Sequence, residues 1–368
     1  MADTSALAPI GRSHGQLMWL KFKEHRVALV SLWLLAVLYF VAIFAEFFAP
    51  YDPRVISTSV KVNSPPELVR FFDQGRLQLR PFVYHKFTEG YDMDTGALVY
   101  QDDRNRKKEV RFFVQGEEYK LWGLFRSSLH FFGTDDPEPI NLFGTDDIGR
   151  DLLSRTIYGG RLSMSVGMIG VLASLVLGTL LGGISGYFGG AVDNVIQRLI
   201  ELLRSIPHIP LWLALSAAIP KEWSAVQRYF SIVVILSLIG WTDLARVVRG
   251  KFLALREEEY VMASRALGAG GGWVITRHLI PNFIGYLIVS LSLGVPGMII
   301  GETALSFLGL GLLPPAISWG VLLKEAETFM AIAFHPWFFI PAILVIIVVL
   351  AFNFVGDGLR DAADPFEK

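Results

Sequence analysis

No cysteine occurs anywhere in the 368 residues. Disulfides, thiolate catalysis and Cys-ligated metals are therefore excluded, although an exported face can do without bridges. Charge is also scarce. Asp, Glu, Lys and Arg make up 18% of the chain and leave a net charge of −1, below the ~25% charged content of soluble domains. Nothing in that balance argues for nucleic acid as a partner. The phosphate-cradling pattern G-x-x-x-x-G-K-[ST] is absent, so the chain has no recognisable site for an ATP-driven step. The zinc-protease pattern H-E-x-x-H is absent too. With no Ser/His pair at a credible depth, an intramembrane hydrolase is disfavoured.

Apolar sequence is abundant. Hydrophobic residues reach 52%, mean hydropathy is +0.46, and nine Trp and 27 Phe suit membrane interfaces. Several windows of about 20 residues are nearly free of charge, enough to span ~30 Å of hydrocarbon. These features predict an all-α polytopic membrane protein with six transmembrane helices. They are placed at Val27–Phe48, Ser163–Tyr187, Asn194–Ile219, Tyr229–Val248, Asn282–Gly301 and Trp337–Val355. The first run is read as a retained span. It is too long for a signal h-region, lacks a small-x-small cleavage site, and is followed by Pro50.

Basic residues near span ends set the expected orientation. Arg12, Lys21, Lys23 and Arg26 precede the first span, and Arg246, Arg249, Lys251, Arg256, Arg265 and Arg277 cluster around the loop between spans four and five. Opposite loops are poorer, with Lys221 and Arg228 in one and Lys324 in another, and Arg150, Arg155 and Arg161 run against the trend. Both termini are thus expected in the cytoplasm. Residues 1–26 form a cytoplasmic tail, 27–48 the first span and 49–141 an external insert. Residues 142–368 form the core, with a cytoplasmic loop at 250–281. Strand-like runs at Leu77–Tyr84, Glu109–Gly116 and Tyr119–Phe125 make the insert small and mostly β, the last two paired across a Gly-Glu-Glu turn. "DMDTG" (Asp92–Gly96) lacks the closing Glu of a calcium loop and reads as a surface turn.

Several patterns inside the spans invite a role. Gly178, Gly182, Gly186 and Gly190 recur every fourth residue. Small residues on one face let helices approach closely in lipid, so a packing seam is expected, at least at Gly178 and Gly182. The third span opens with Asp193, Gln197, Arg198, Glu201, Arg204 and His208. Arg198 and Glu201 suit an i,i+3 pair, and a lone His beside Pro207 is weak grounds for a metal. Arg204 and His208 suit an aqueous path and an interfacial anchor equally well. Span five holds Ser290, Ser292, Gly294, Pro296 and Gly297, a kink of the kind transporters place beside a substrate path or use only for packing. The candidate pathway residues are Arg204, His208, Ser290, Gly294, Met298 and Glu302, the last expected near the external surface.

The stretch "EEEYVMASRALGAGGGWVITRHLIPN" (Glu257–Asn282) is polar amid apolar runs. A helix is expected from Phe252 through Leu267, with Phe252, Leu255, Met262, Ala263 and Ala266 on or near one face and Glu257–Glu259 in its interior. Gly268 suits a helix-ending C′ position. Gly270–Gly272 suit a sharp turn, Trp273–Leu279 a second short helix, and Pro281 opens the next span. Such a pattern fits an element that docks into a groove on another protein.

This stretch resembles the EAA–x3–G–x9–I–x–LP loop of inner-membrane permeases in binding-protein-dependent ABC importers. Met262-Ala263-Ser264 occupies the EAA place, Gly268 is the glycine, and Ile280-Pro281 closes the pattern. Met262, Ser264, His278 and Ile280 depart from the family's residues. "FGTDDIGRDLLSRTIYGGRLSMSVG", "GYFGGAVDNVIQRLIE", "ETALSFLGLGLLPPAISWG" and "AFNFVGDGLRDAADP" resemble the dipeptide/oligopeptide branch, specifically the second of its two permeases. The resemblance covers Leu142 to the C-terminus and the first span but not the insert. It implies a multi-pass protein of the bacterial inner membrane, non-enzymatic itself. A homologous second permease, two cytoplasmic ATPase subunits and an external solute-binding protein would be its partners, besides membrane lipid. ATP and Mg would sit on the ATPases, leaving no cofactor in this chain. By the same resemblance Glu259, Tyr260, Met262, Ala263, Ser264, Arg265, Ala266, Leu267 and Gly268 would couple to the ATPase. Peptides are the implied cargo, with oligosaccharides, opines or nickel as alternatives. An ion-coupled secondary transporter is the competing class, and no mid-membrane carboxylate or internal repeat recommends it.

Overall fold

A computed structural model describes residues 14–55, 61–73, 76–93, 98–220 and 222–363. Arg12, Lys221 and the end of the "DMDTG" segment (94–96) lie outside the described residues. Five helices among these residues are long and apolar enough to cross a membrane. In chain order, α1 (His14–Glu24), α2 (Arg26–Ile43) and α3 (Ala45–Phe48) lead into strands β1 (Arg70–Asp73), β2 (Arg76–Tyr91), β3 (Leu98–Glu109), β4 (Arg111–Leu121) and β5 (Phe125–Gly133). Then follow α4 (Leu152–Phe188), α5 (Gly190–Ser205), α6 (His208–Ala217), α7 (Ala225–Leu255), α8 (Glu259–Ala266), α9 (Gly271–Val274), α10 (Ile280–Asn282), α11 (Ile284–Phe307), α12 (Trp319–Glu325), α13 (Phe329–Phe334) and α14 (Ile340–Ala363).

The expected third span is two helices. Backbone ψ is 129° at Ile206 and 134° at Pro207, which separates α5 from α6. Proline pushes the residue before it out of the α region, so the helix ends there. The expected first span breaks at Phe44 into α2 and α3, whereas α4 and α7 run longer than expected, because polar residues cap them beyond the apolar run. Asp151 caps α4 by accepting from the Ser154 N–H at 2.7 Å. Ser224 and Gln227 form a capping box at the start of α7.

Helix α4 is the axis of the bundle. Its glycines meet the α7 backbone turn by turn. A Cβ on Gly178 would lie 2.9 Å from the Trp241 carbonyl oxygen, and one on Gly186 would lie 2.7 Å from that of Arg249. Gly182 takes the place between them, against Ala245. Gly190 is different: its φ is +56°, a Cβ there would meet nothing, and it begins α5. Around this seam Met164, Val166, Ile232, Leu236, Val295, Ile299 and Val348 form the core.

The region after α3 holds a three-stranded antiparallel sheet (β1–β2–β3) and a separate β4–β5 hairpin. The hairpin does not turn at Gly116-Glu117-Glu118. β4 runs through those residues with a register shift between Gln115 and Tyr119, and the chain reverses at Trp122–Leu124, where Trp122 and Gly123 have φ of 52° and 75°. His130 explains the shift. Its ring nitrogens lie 2.7 Å from the Ala49 carbonyl and 3.0 Å from that of Glu117. A Cβ on Gly116 would sit 2.8 Å from this ring, so the glycine makes room for a bulge rather than a turn.

The three arginines that oppose the charge trend are engaged in pairing. Arg155, 1% exposed, donates to Asp146 at 2.6 Å and holds Glu325 with two bonds of 2.5 and 3.0 Å. Arg150 reaches Asp146 at 2.6 Å. Arg161 holds Glu46 and the carbonyls of Ala42 and Ile43. A guanidinium spent on a carboxylate says little about which side of a membrane it occupies.

Candidate coupling loop and intramembrane cavity

Helix α7 does not stop at Val248, the expected end of its span. It continues to Leu255, so Phe252 and Leu255 belong to it and not to the following short helix. Phe252 is buried with Val248, Val261, Val274, Leu279 and Phe283 in a small separate core. The glutamates lie at the start of α8 and not inside a helix: Glu258 is its N-cap residue and Glu259 its first helical residue. An acid in the first turn suits the positive end of the helix dipole.

Within α8, Val261 points into the small core, while Met262, Ala263, Arg265, Ala266 and Leu267 are exposed and Ser264 is half-buried. Leu267 is 91% exposed, an uncommon placement for a large apolar side chain. The helix closes with paired bonds from Gly268 N–H to Arg265 O (2.9 Å) and from Ala269 N–H to Ser264 O (3.1 Å). That is the Schellman arrangement, and it needs the φ of +88° that Gly268 adopts. The reversal is therefore made at Gly268–Ala269, and Gly271–Gly272 already belong to α9.

The expected second helix is irregular. Residues Ile275–Leu279 form a π-helical turn between α9 and α10. Pro281 has no N–H for the carbonyl four residues back, and a widened turn accommodates it. Three contacts fix the loop on the bundle. Asn282 Nδ2 donates to Tyr260 Oη at 2.6 Å, Arg265 lies 5.7 Å from the Tyr187 ring centroid, and Gly271 packs against that ring. Tyr187 stands at the end of α4, immediately after the glycine seam.

Of the pathway candidates, His208, Ser290, Gly294 and Met298 line one cavity of about 230 Å³ between α4, α6, α7 and α11. Arg204 pairs with Asp243, another residue of that lining. An apolar groove of about 510 Å³ continues from His208 along α6 and α11 to Gly301 and Leu305. Glu302 stands apart. It is 0% exposed, and its two carboxylate oxygens accept from Ser163 and Ser306 at 2.8 Å each. Those hydroxyls also accept from the Trp319 and Leu312 N–H groups, so Glu302 ties α4 and α11 to the chain entering α12. It lines neither the cavity nor the groove. Sequence reasoning passed over Asp243 and Trp212. Asp243 carried a usable signal, being an acid inside an otherwise apolar run. Among the described residues no group of His, Asp and Glu is arranged to hold a metal ion.

A bundle with a glycine seam, a proline-bearing helix beside a cavity and an exposed, glycine-closed loop helix belongs to a recognised class. Residues 178–367 match the binding-protein-dependent transport system inner membrane component family, and residues 13–66 match the N-terminal transmembrane domain of oligopeptide transport permease C. The chain belongs to this family of multi-pass permeases of the cytoplasmic membrane.

Among individual relatives, it is 38% identical to the oligopeptide transport system permease protein OppC of Bacillus subtilis, over 62% of this chain and 73% of that one. Against OppC of Haemophilus influenzae identity is 42%, over 63% and 72%. The dipeptide transport system permease protein DppC of Lactococcus lactis is 31% identical across 99% of this chain and 94% of its own. That alignment takes in the insert, which therefore lies within the resemblance after all. An inward-facing structure of the MetNI methionine ABC transporter is similar with a TM-score of 0.44 at 18% identity, over 57% of this chain and 97% of that one. A likeness that weak carries no argument.

Proposed function

We propose that the chain is a permease subunit of an ATP-driven importer of dipeptides and oligopeptides, enclosing half of the pathway beside a homologous second permease. The relatives named for oligopeptide and dipeptide transport support that cargo over oligosaccharides, opines or nickel. An external solute-binding protein delivers the peptide, and two cytoplasmic ATPase subunits bind ATP and Mg and supply the energy. The permease itself is not catalytic. Both termini lie in the cytoplasm, residues 49–141 lie outside, and α5 with α6 make the sixth crossing. His208, Ser290, Gly294 and Met298 border the pathway, with Arg204 held beside it by Asp243.

One observation carries the coupling role: α8 is anchored from behind by Val261 and turns Met262, Ala263, Ala266 and Leu267 outward and exposed, while Arg265 leans on the Tyr187 ring. ATP binding draws the ATPases together and moves the docked α8. Because α8 leans on Tyr187 and follows α7, that movement enters the α4–α7 pair and exchanges one opening of the bundle for the other. The nucleotide acts only by favouring one of the two states through this contact.

The absence of cysteine makes the test clean. In a reconstituted, transporting complex, Ala263→Cys should crosslink to an ATPase chain, and Asn105→Cys on β3 should not. A working complex in which Ala263→Cys never reaches an ATPase would overturn the assignment.

A further inference from the structure

The β4–β5 hairpin bends back along the end of the first span. Near its base, Phe131 packs against Phe47 and Phe48 of α3, with ring centroids 5.9 and 5.2 Å apart. At its tip, Trp122 Nε1 donates to the carbonyl of Ile43, the last residue of α2, at 2.9 Å. The Trp122 ring lies 5.3 Å from that of Phe44. Base contacts thus fall further along the chain than tip contacts, and the tip points toward the membrane.

The tip is also apolar. Leu124 is 75% exposed and Phe125 62%, and Trp122 is exposed as well. The rest of the described chain leaves Leu124 and Phe125 uncovered, while Trp122 rests against Ile43 and Phe44. These tip residues continue the exposed apolar side of the first span, which a membrane-crossing helix turns to lipid: α2 exposes Val30, Trp33, Val37, Phe40 and Ile43 along one side, and Phe40 packs against Phe44 with centroids 4.9 Å apart. The lipid-facing stripe therefore runs from α2 through Phe40 and Phe44 to Trp122 without a polar break. Just behind the tip, Lys120 and Arg126 are cross-strand partners and both are exposed. Apolar rings with cations a residue behind them match the layering of a bilayer, hydrocarbon first and phosphate next.

We infer that the β4–β5 tip is a membrane-interface anchor. Trp122, Leu124 and Phe125 enter the boundary between headgroups and hydrocarbon at the far end of α2, and Lys120 and Arg126 meet lipid phosphates. The anchor holds the hairpin, and through His130 and Phe131 the end of α3, at a fixed height over the bundle.

Spin labels test the depth. Leu124→Cys, Phe125→Cys and Asn105→Cys, each in the cysteine-free chain and assembled with its partners in lipid nanodiscs, are labelled and their collisions measured. At positions 124 and 125, oxygen should reach the label more readily, and a water-soluble nickel chelate less readily, than at position 105 on the charged β3 strand. Equal access of the chelate to all three would overturn the inference. So would protection that develops only when the solute-binding protein is added, since the tip would then be a protein-docking surface. Leu124 and Phe125 are exposed, so their replacement leaves the core intact, and retained transport verifies the fold of each variant.

Discussion

Gly182 and Ala245 bring the backbones of α4 and α7 into direct contact. A Cβ added to Gly182 would lie 2.8 Å from the Ala245 Cα and closer still to its carbonyl oxygen. Backbone, unlike a flexible side chain, has nowhere to retreat. Gly182→Val should therefore force the helices apart and destabilise the bundle by roughly 1–3 kcal/mol or more. Gly250 supplies the contrast. It is an exposed glycine of α7 with nothing within 4 Å of its missing Cβ. Gly250→Ala should be neutral or stabilising by up to about 1 kcal/mol, since glycine is a poor helix former. Denaturant unfolding of both variants in mixed micelles checks the pair, and equal effects would show that the seam is not tight.

The seam also explains why sequence reading succeeded where it did. A four-residue glycine period places every small residue on one helix face whatever that face meets, so geometry alone made it legible. The β hairpin was misread for the opposite reason. Gly116-Glu117-Glu118 has turn composition, but its conformation is decided by His130, a residue on another strand. Pro207 carried a local signal for the α5–α6 break, and the surrounding apolar run masked it. Glu302 was grouped with the pathway as the acid just beyond the Pro296–Gly297 stretch of span five; the serines that satisfy it are spread over α4 and α11, and nothing local announces them. The Phe252–Leu267 helix failed at its start, because Phe252–Leu255 end α7 and the break before α8 falls at Arg256–Glu258, which holds no Gly or Pro to announce it.

Asp151 makes folding sensitive to pH. Burial raises its pKa from 3.8 to about 7, helped by Glu67 and Asp146, while its bond with Ser154 acts in the opposite sense. Its Oδ1 has no hydrogen-bond partner. The folded protein therefore holds this proton more tightly than the unfolded chain does. The associated stability is complete below the unfolded pKa and is lost as pH rises toward the folded one, at up to about 1.4 kcal/mol per pH unit. Asn caps a helix about as well as Asp, so Asp151→Asn should keep α4 capped and flatten this dependence. Unfolding free energies of wild type and variant should draw apart from about pH 4 to about pH 7, the variant becoming relatively more stable. Parallel curves would count against a buried, protonated Asp151.

At Gly268 stability and coupling should separate. A Cβ there would meet nothing within 4 Å, so no clash arises, but φ is +88°. A non-glycine residue in the left-handed region costs about 1–2 kcal/mol, and a β-branched one is a stronger outlier. The strain falls on the Schellman closure joining Ala269 to Ser264 and Gly268 to Arg265, remote from the transmembrane core. Gly268→Val should therefore leave the bundle folded and inserted while α8 frays or reorients. Reconstituted with its ATPases and binding protein, the variant should lose most substrate-stimulated ATP hydrolysis, and Gly268→Asn, which tolerates left-handed backbone, should recover much of it. Full stimulation in Gly268→Val would mean that the end of α8 does not transmit the ATPase movement, and the coupling role proposed for this loop would fail with it.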